Sequence, residues 1–310
     1  MIDIIEQELV NISEELFNIL LKDRTTQKNI CWATDYYISR GIAYYPQEPI
    51  IKDLITGQNT KVIRPRVAKI FEEKNKRTKE KAEVFTPSWL CNEQNNLIDE
   101  AWFGRKNVFN ISKNKSWITN KELISFPAEK NWKNYVDARR LEISCGEAPY
   151  IVSRYDTVTG REIPIEERIG LLDRKLRVVN ENTRTEEEWF TWTKRAYESI
   201  YGYEYQGDSL LIARENIFYT FIENMEYKFS HEPTEKQMKI IARIISWNIW
   251  QMDGMTLTAP YSERPRPITQ LSMFNSENEN LDKEPIPCKI FDWRANNSLE
   301  FKDIINEGRS

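Results

Sequence analysis

From Thr185 onward the chain alternates helical and strand-like segments, and this alternation is the strongest limit on what it can fold into. Thr185 or Asn182 can cap a helix whose first turn holds Glu186, Glu187 and Glu188. Carboxylates there are favourable against the helix dipole. The helix is expected to run to about Ile200 and to stop near Gly202. Tyr201 to Tyr205 then reads as a short buried strand. Gly207 and Asp208 open a second helix, from Ser209 to about Tyr227. Pro233-Thr234-Glu235 starts a third that reaches about Ile245, and Trp247 to Gln251 is again strand-like, ending at Asp253. Helices alternating with short apolar strands imply a parallel sheet.

An earlier strand fits the same scheme. In Leu141-Glu142-Ile143-Ser144-Cys145-Gly146-Glu147-Ala148 an apolar run reaches an acid and then turns through small residues. Glycine takes a positive φ and leaves room for a ligand to approach the backbone. Open α/β sheets bind ligands at the carboxyl ends of their strands. An ordinary strand-to-helix turn has the same appearance. The expectation is that Leu141–Ser144, Tyr201–Glu204 and Trp247–Gln251 are adjacent parallel strands in a three-layer α/β arrangement.

The remainder is less regular. Ile5, Leu9, Ile12, Leu16 and Ile19 recur at helical spacing, so residues 3–22 read as an amphipathic helix. Residues 61–81 are basic, with Lys61, Arg64, Arg66, Lys74, Lys76 and Arg77 among them. Such a run is a solvated helix face or a surface that contacts phosphates. No period is evident in 103–135. Residues 152–184 form a charged insert in which Leu171, Leu172, Leu176, Val178 and Val179 make a short apolar core. Residues 262–286 read as a flexible loop, Pro287–Trp293 as a last strand, and Ser298 as the start of a short helix. Residues 1–80 thus form a helical N-terminal region with a basic segment, and 81–310 the α/β domain.

Composition narrows the chemistry. The four cysteines, 31, 91, 145 and 288, lie far apart and form no Cys-x-x-Cys pair. They read as free thiols in a reducing cytoplasm. His231 is the sole histidine, which argues strongly against a histidine-rich metal centre or a histidine-based triad. The net charge of −4 neither announces nor excludes a nucleic-acid partner. Neither a signal peptide nor a long apolar run is evident, so the chain is expected to be a soluble cytoplasmic protein with no membrane partner.

Three acids, Glu142, Glu204 and Asp253, close three successive strand segments. With a nucleoside ligand, one carboxylate can accept the ribose hydroxyls and another the adenine amino group. In this order the motifs resemble those of the adenine-N6 DNA methyltransferases of restriction–modification systems, particularly the M subunits and fused enzymes with a helical N-terminal part. Glu83-Val84-Phe85-Thr86-Pro87-Ser88-Trp89-Leu90 resembles their Phe-Thr-Pro motif, and Leu141 to Ala148 their glycine motif. Ile200-Tyr201-Gly202-Tyr203-Glu204 with Ala213-Arg214-Glu215-Asn216 resembles the ribose-binding segment. Asn248-Ile249-Trp250-Gln251-Met252-Asp253 resembles the adenine-binding strand.

The resemblance covers roughly residues 80–255. It implies a Rossmann-like S-adenosylmethionine-dependent methyltransferase fold with a partial or modified sheet. The implied cofactor is S-adenosyl-L-methionine, bound by Phe85, Thr86, Pro87, Glu142, Ser144, Cys145, Gly146, Glu204 and Asp253. DNA is the implied partner, with Lys61, Arg64, Arg66, Lys74, Lys76 and Arg77 on its phosphates, in a restriction–modification or related antiviral defence system.

Two departures stand out. Ala148, followed by Pro149, takes the place of a second glycine, and its methyl is expected to narrow the cofactor pocket. The Asn/Asp-Pro-Pro-Tyr/Phe catalytic motif, which acts on a base flipped from the duplex, is not found. Thr258-Ala259-Pro260-Tyr261 follows Asp253 too closely and lacks the amide or carboxylate, and reads as a surface turn. Hence catalysis is expected to need a second protein chain. The alternative is a catalytically silent methyltransferase-like module that binds DNA or protein. Without the catalytic-motif strand the edge of Leu141–Ser144 is bare. Ile286–Trp293 is expected to fold back onto it, or a partner strand to cover it.

Overall fold

The structure is a computed structural model and describes residues 6–68, 86–265 and 283–307. The N-terminal segment forms two helices, α1 (Glu6–Ile12) and α2 (Glu14–Leu21), in place of the expected single one. Ser13 interrupts them: it is extended, and its Oγ accepts from Leu16 N, so a capping residue starts a new helix mid-run. Leu16, Phe17, Leu20 and Leu21 of α2 are fully buried.

After the basic segment come α3 (Ser88–Phe103) and a hairpin, β1 (Asn110–Lys113) and β2 (Ser116–Thr119). Asn114 and Lys115 both take positive φ, as a two-residue hairpin turn requires. The short helix α4 (Trp132–Asp137) precedes β3 (Arg140–Glu142). Then follow α5 (Leu171–Asn182), α6 (Glu186–Glu198), β4 (Ile200–Glu204), α7 (Gly207–Phe229), α8 (Glu235–Asn248) and β5 (Ile249–Gln251). The two-residue strands β6 (Arg264–Pro265) and β7 (Lys283–Glu284) pair antiparallel. The hairpin β8 (Lys289–Asp292) and β9 (Asn297–Glu300) leads into α9 (Phe301–Glu307).

The central sheet is β3-β4-β5, with both pairs parallel. The three expected segments are therefore neighbours in the expected order, although Trp247 and Asn248 end α8 and do not start β5. The helix caps are where the sequence puts them. Thr185 accepts from Glu188 N, and Thr234 and Gln237 form a capping box.

Alternation assigns the faces of the sheet. Ile200 and Ile249 join the main core, which runs from Leu9 of α1 through α2 and α5–α8. Tyr201 and Trp250 point the other way and pack with Cys288, Ile290 and Phe301. The second face is thus covered by the C-terminal hairpin and α9 rather than by a further layer of long helices. The apolar residues of 171–179 lie on α5, in the main core and not in one of their own.

The β3 edge departs from expectation. The segment Ile286–Trp293 does not pair with it, because β8 takes β9 as its partner. The hairpin is held elsewhere: Tyr201 Oη donates to Phe291 O, Trp293 Nε1 to Asn248 Oδ1, and Arg139 pairs with Asp292. Leu141 and Ile143, read as buried, are 45% and 65% exposed. An edge of three residues is short enough to be tolerated without a covering strand.

Two buried basic side chains tie the layers together. Lys175 of α5 donates to the carbonyls of Val136 and Ala138 and to Ser199 Oγ, which holds the entries to β3 and β4 side by side. Arg214 of α7 does the corresponding work for α2, α8 and β5. Its Nε donates to Ile249 O at 2.8 Å, Nη1 to Leu20 O and Lys22 O, and Nη2 to Ser246 O.

Candidate functional site

A cavity of about 540 Å³ opens at the carboxyl ends of β3 and β4. Thr86, Glu142, Ser144, Cys145, Gly146 and Glu204 all line it. Three segments far apart in sequence therefore meet at one place. The size is that of a small-ligand site.

The turn after β3 is built from left-handed residues. Ser144, Gly146 and Ala148 have φ of 52°, 55° and 64°. Two of the three are not glycine, and each such position costs on the order of 1–2 kcal/mol. The turn is fixed by Cys145 N donating to Tyr203 O and Ala148 N to Cys145 O, both at 2.8 Å. Gly146 N donates to Glu204 Oε2 at 2.9 Å, and Gln206 N to Glu204 Oε1 at 3.1 Å. Glu204 thus ties the glycine turn to the end of β4. Burial pushes its acid up, while the N–H groups of Gln206, Gly146 and Tyr205 favour the charged form. The methyl of Ala148 does not narrow the cavity. Ala148 is fully buried in the main core, and Pro149 lines the wall beside it.

Glu142 ends β3 and faces the cavity. Burial alone pushes its acid up to about 7. The thiols are not poised for reaction. All four cysteines are buried and free, and burial pushes the Cys145 thiol well above its ordinary value.

Several lining residues carry no signal in the sequence. Glu147 accepts from Arg66 N at 2.6 Å and from Tyr155 Oη at 3.1 Å. Asn216 Nδ2 donates to Tyr155 Oη and to Glu147 O. Thr157 Oγ1 donates to Thr86 O. Arg154 and Arg168 both bind Glu223. Burial pushes the Glu223 carboxyl up, but the two arginines outweigh it and hold it below the usual range. Glu147 and Asn216 lay within motifs, in Leu141–Ala148 and at the end of Ala213-Arg214-Glu215-Asn216, but neither carried a role there.

The other expected site residues fall as follows. Pro87 caps α3 next to Thr86 and does not line the cavity, and Phe85 lies outside the described residues. Asp253 does not line it either. Its Oδ1 accepts from Met255 N at 2.8 Å and Thr256 N at 3.4 Å, closing its own turn. The N-terminal segment covers the carboxyl end of β5 and reaches Gly207, which opens α7 after β4. The Gln251 side chain accepts from Cys31 N and donates to Cys31 O and Tyr205 O, and Gly207 N donates to Trp32 O. Of the basic segment, Lys61 is exposed, Arg64 half-buried, and Arg66 lines the cavity. Lys74, Lys76 and Arg77 lie outside the described residues.

Glu215, beside Arg214, is fully buried with neither carboxylate oxygen hydrogen-bonded. Burial, then the charge of Glu6, pushes its acid well above the ordinary range, against the pull of Arg154. A raised acid is protonated in the folded state while the unfolded chain has already ionised. Its contribution is full below the ordinary carboxylate pKa and is lost as the pH rises towards the folded value. Thermal melts from about pH 5 to about pH 8 should show stability falling with pH, with Glu215→Gln flattening the fall. An identical slope in both proteins would remove Glu215 as its source.

Fold and site together define a mixed α/β protein with a ligand-sized cavity at the ends of two parallel strands. No protein-family model, curated protein or solved structure matches the chain. Among the described residues, no group of three or more His, Cys, Asp or Glu side chains is placed to hold a metal ion, and no helix is long and apolar enough to cross a membrane.

Proposed function

We propose that the chain is a cofactor-binding subunit of the adenine-N6 DNA methyltransferase type, built on a Rossmann-like methyltransferase fold with a modified sheet. It binds S-adenosyl-L-methionine, works on DNA in a restriction–modification or related defence system in the cytoplasm, and relies on a second chain for the catalytic motif. The observation that carries this is the convergence of Thr86, the Glu142–Gly146 turn and Glu204 on one cavity. Each came from a different motif, in the family's order. Glu142 supplies the negative charge that the cofactor's ammonium and sulfonium call for. Arg66, on the same wall, links the cavity to the basic segment that would meet DNA phosphates.

Calorimetry with S-adenosylmethionine tests it. The wild type should bind, and Glu204→Ala should bind roughly tenfold to a hundredfold more weakly, the equivalent of about 1.5–3 kcal/mol for a lost charged hydrogen bond. Asp253→Ala should bind as the wild type does, since its carboxylate serves its own turn. A wild type that binds nothing, or equal binding by the wild type and Glu204→Ala, defeats the assignment.

The second reading is a silent methyltransferase-like module. It draws on the coverage of the β5 end by Cys31 and the contact of Trp32 with Gly207, and it predicts binding to DNA with no cofactor heat at all.

A further inference from the structure

Among the described residues, Glu142 is set apart from the other cavity carboxylates by what does not touch it. Glu204 accepts from backbone N–H groups on two turns, and Glu147 accepts from Arg66 N and Tyr155 Oη. The cavity's second arginine, Arg154, is held on Glu223. Glu142 has neither a hydrogen-bond donor nor a cation of its own. The titratable groups that feel its charge are Cys91 on α3, and Cys145 and Tyr150 after β3. All three are neutral when protonated, and burial pushes each of them upward. Among the described residues nothing therefore compensates an ionised Glu142, yet it faces a space large enough for a ligand.

We propose that ligand uptake in this cavity is proton-linked through Glu142: a ligand bearing a fixed cation, a sulfonium or an ammonium, settles beside the carboxylate, and the proton that Glu142 carries in the empty protein leaves to solvent. Well below the midpoint of Glu142 one proton is released for each cation bound, and charge is conserved at the site. The choice of S-adenosylmethionine as that ligand rests on the function proposed above, but the exchange at Glu142 does not. Free Glu142 titrates near neutrality because burial is unopposed. Below that midpoint the ligand competes with the proton, and affinity should fall about tenfold per pH unit. Above it the affinity should be flat.

Two measurements on the full chain separate the possibilities. Carbon-13 carboxyl NMR follows Glu142 itself, identified by the signal missing in Glu142→Gln, with Glu142→Asp as a second variant should the first misfold. The expected midpoint is near neutrality, and trimethylsulfonium chloride, used as a bare cation probe, should lower it. Calorimetry with S-adenosylmethionine in two buffers of different ionisation heat then counts protons. About one proton should be released per ligand below the midpoint by the wild type, and none by Glu142→Gln. A midpoint that responds to trimethylsulfonium in a protein that ignores S-adenosylmethionine upholds the proton exchange and sinks the cofactor assignment. S-adenosylmethionine binding without proton release, with Glu142 titrating in the ordinary carboxylate range, overturns the proton exchange and leaves the cofactor assignment standing.

Discussion

Arg214→Met should lower the unfolding free energy by about 3–5 kcal/mol, because it leaves several buried carbonyls without a donor. Arg214 is fully buried and forms no ion pair within salt-bridge distance among the described residues. Its partners are four carbonyls: Leu20 and Lys22 at the end of α2, Ser246 in the last turn of α8, and Ile249 in β5. The last carbonyls of a helix lack intrahelical donors and carry the negative end of its dipole. One guanidinium satisfies two such ends at once. Burial pulls its pKa down to about 9, which still leaves it charged at neutral pH. Methionine fills much of the volume but leaves the carbonyls buried and unpaired, at about 1–3 kcal/mol each where no water reaches them. Arg214→Lys should recover only part of the loss, because a single ammonium does not span the same fork. Urea titration checks both variants. A loss below about 1 kcal/mol for Arg214→Met would mean that water replaces the guanidinium at these helix ends.

Gly207→Ala should cost about 3 kcal/mol or more, since overpacking against backbone exceeds the usual range. A Cβ at Gly207 would lie 2.0 Å from Cys31 O and 2.9 Å from Cys31 C. Neither is the tip of a flexible side chain. To make room, the segment around Cys31 would have to leave the Gln251 amide that pairs with Cys31 on both N–H and C=O. Gly146→Ala is the informative contrast. Nothing lies within 4 Å of its Cβ, and the cost comes from φ of +55° alone. It should cost roughly 1–2 kcal/mol. Similar losses for the two variants would place the N-terminal segment less tightly on α7 than its geometry indicates.

Much of the architecture was legible because its signals are local. Thr185 and Thr234 announce helix starts through their own side chains, and the alternation of Ile200 with Tyr201 and of Ile249 with Trp250 assigns sheet faces from spacing two. The helix break at Ser13 and the turn at Asn114-Lys115 were hidden because a polar residue within a periodic run has several equally good local conformations. Leu141 and Ile143 misled for another reason. An apolar pattern reports what a strand could bury, not whether a neighbour arrives to bury it.

At the site the division is sharper. The sequence by itself determined that Glu142, the Ser144–Gly146 turn and Glu204 stand at the ends of neighbouring parallel strands, since strand-end acids and a glycine turn are properties of contiguous residues. Tertiary structure alone decided what each carboxylate does there. Glu204 is bound to backbone N–H groups, Asp253 closes its own turn, and Glu142 has no partner among the described residues. It also decided that Tyr155, Thr157 and Asn216 complete the wall, and that Arg214 is a core residue. A polar side chain's role is set by which donors and acceptors reach it, and here those include backbone groups as distant in the chain as Cys31 is from Gln251, 220 residues. Backbone N–H and C=O groups occur at almost every position, so no pattern of side chains reveals in advance which of them will meet.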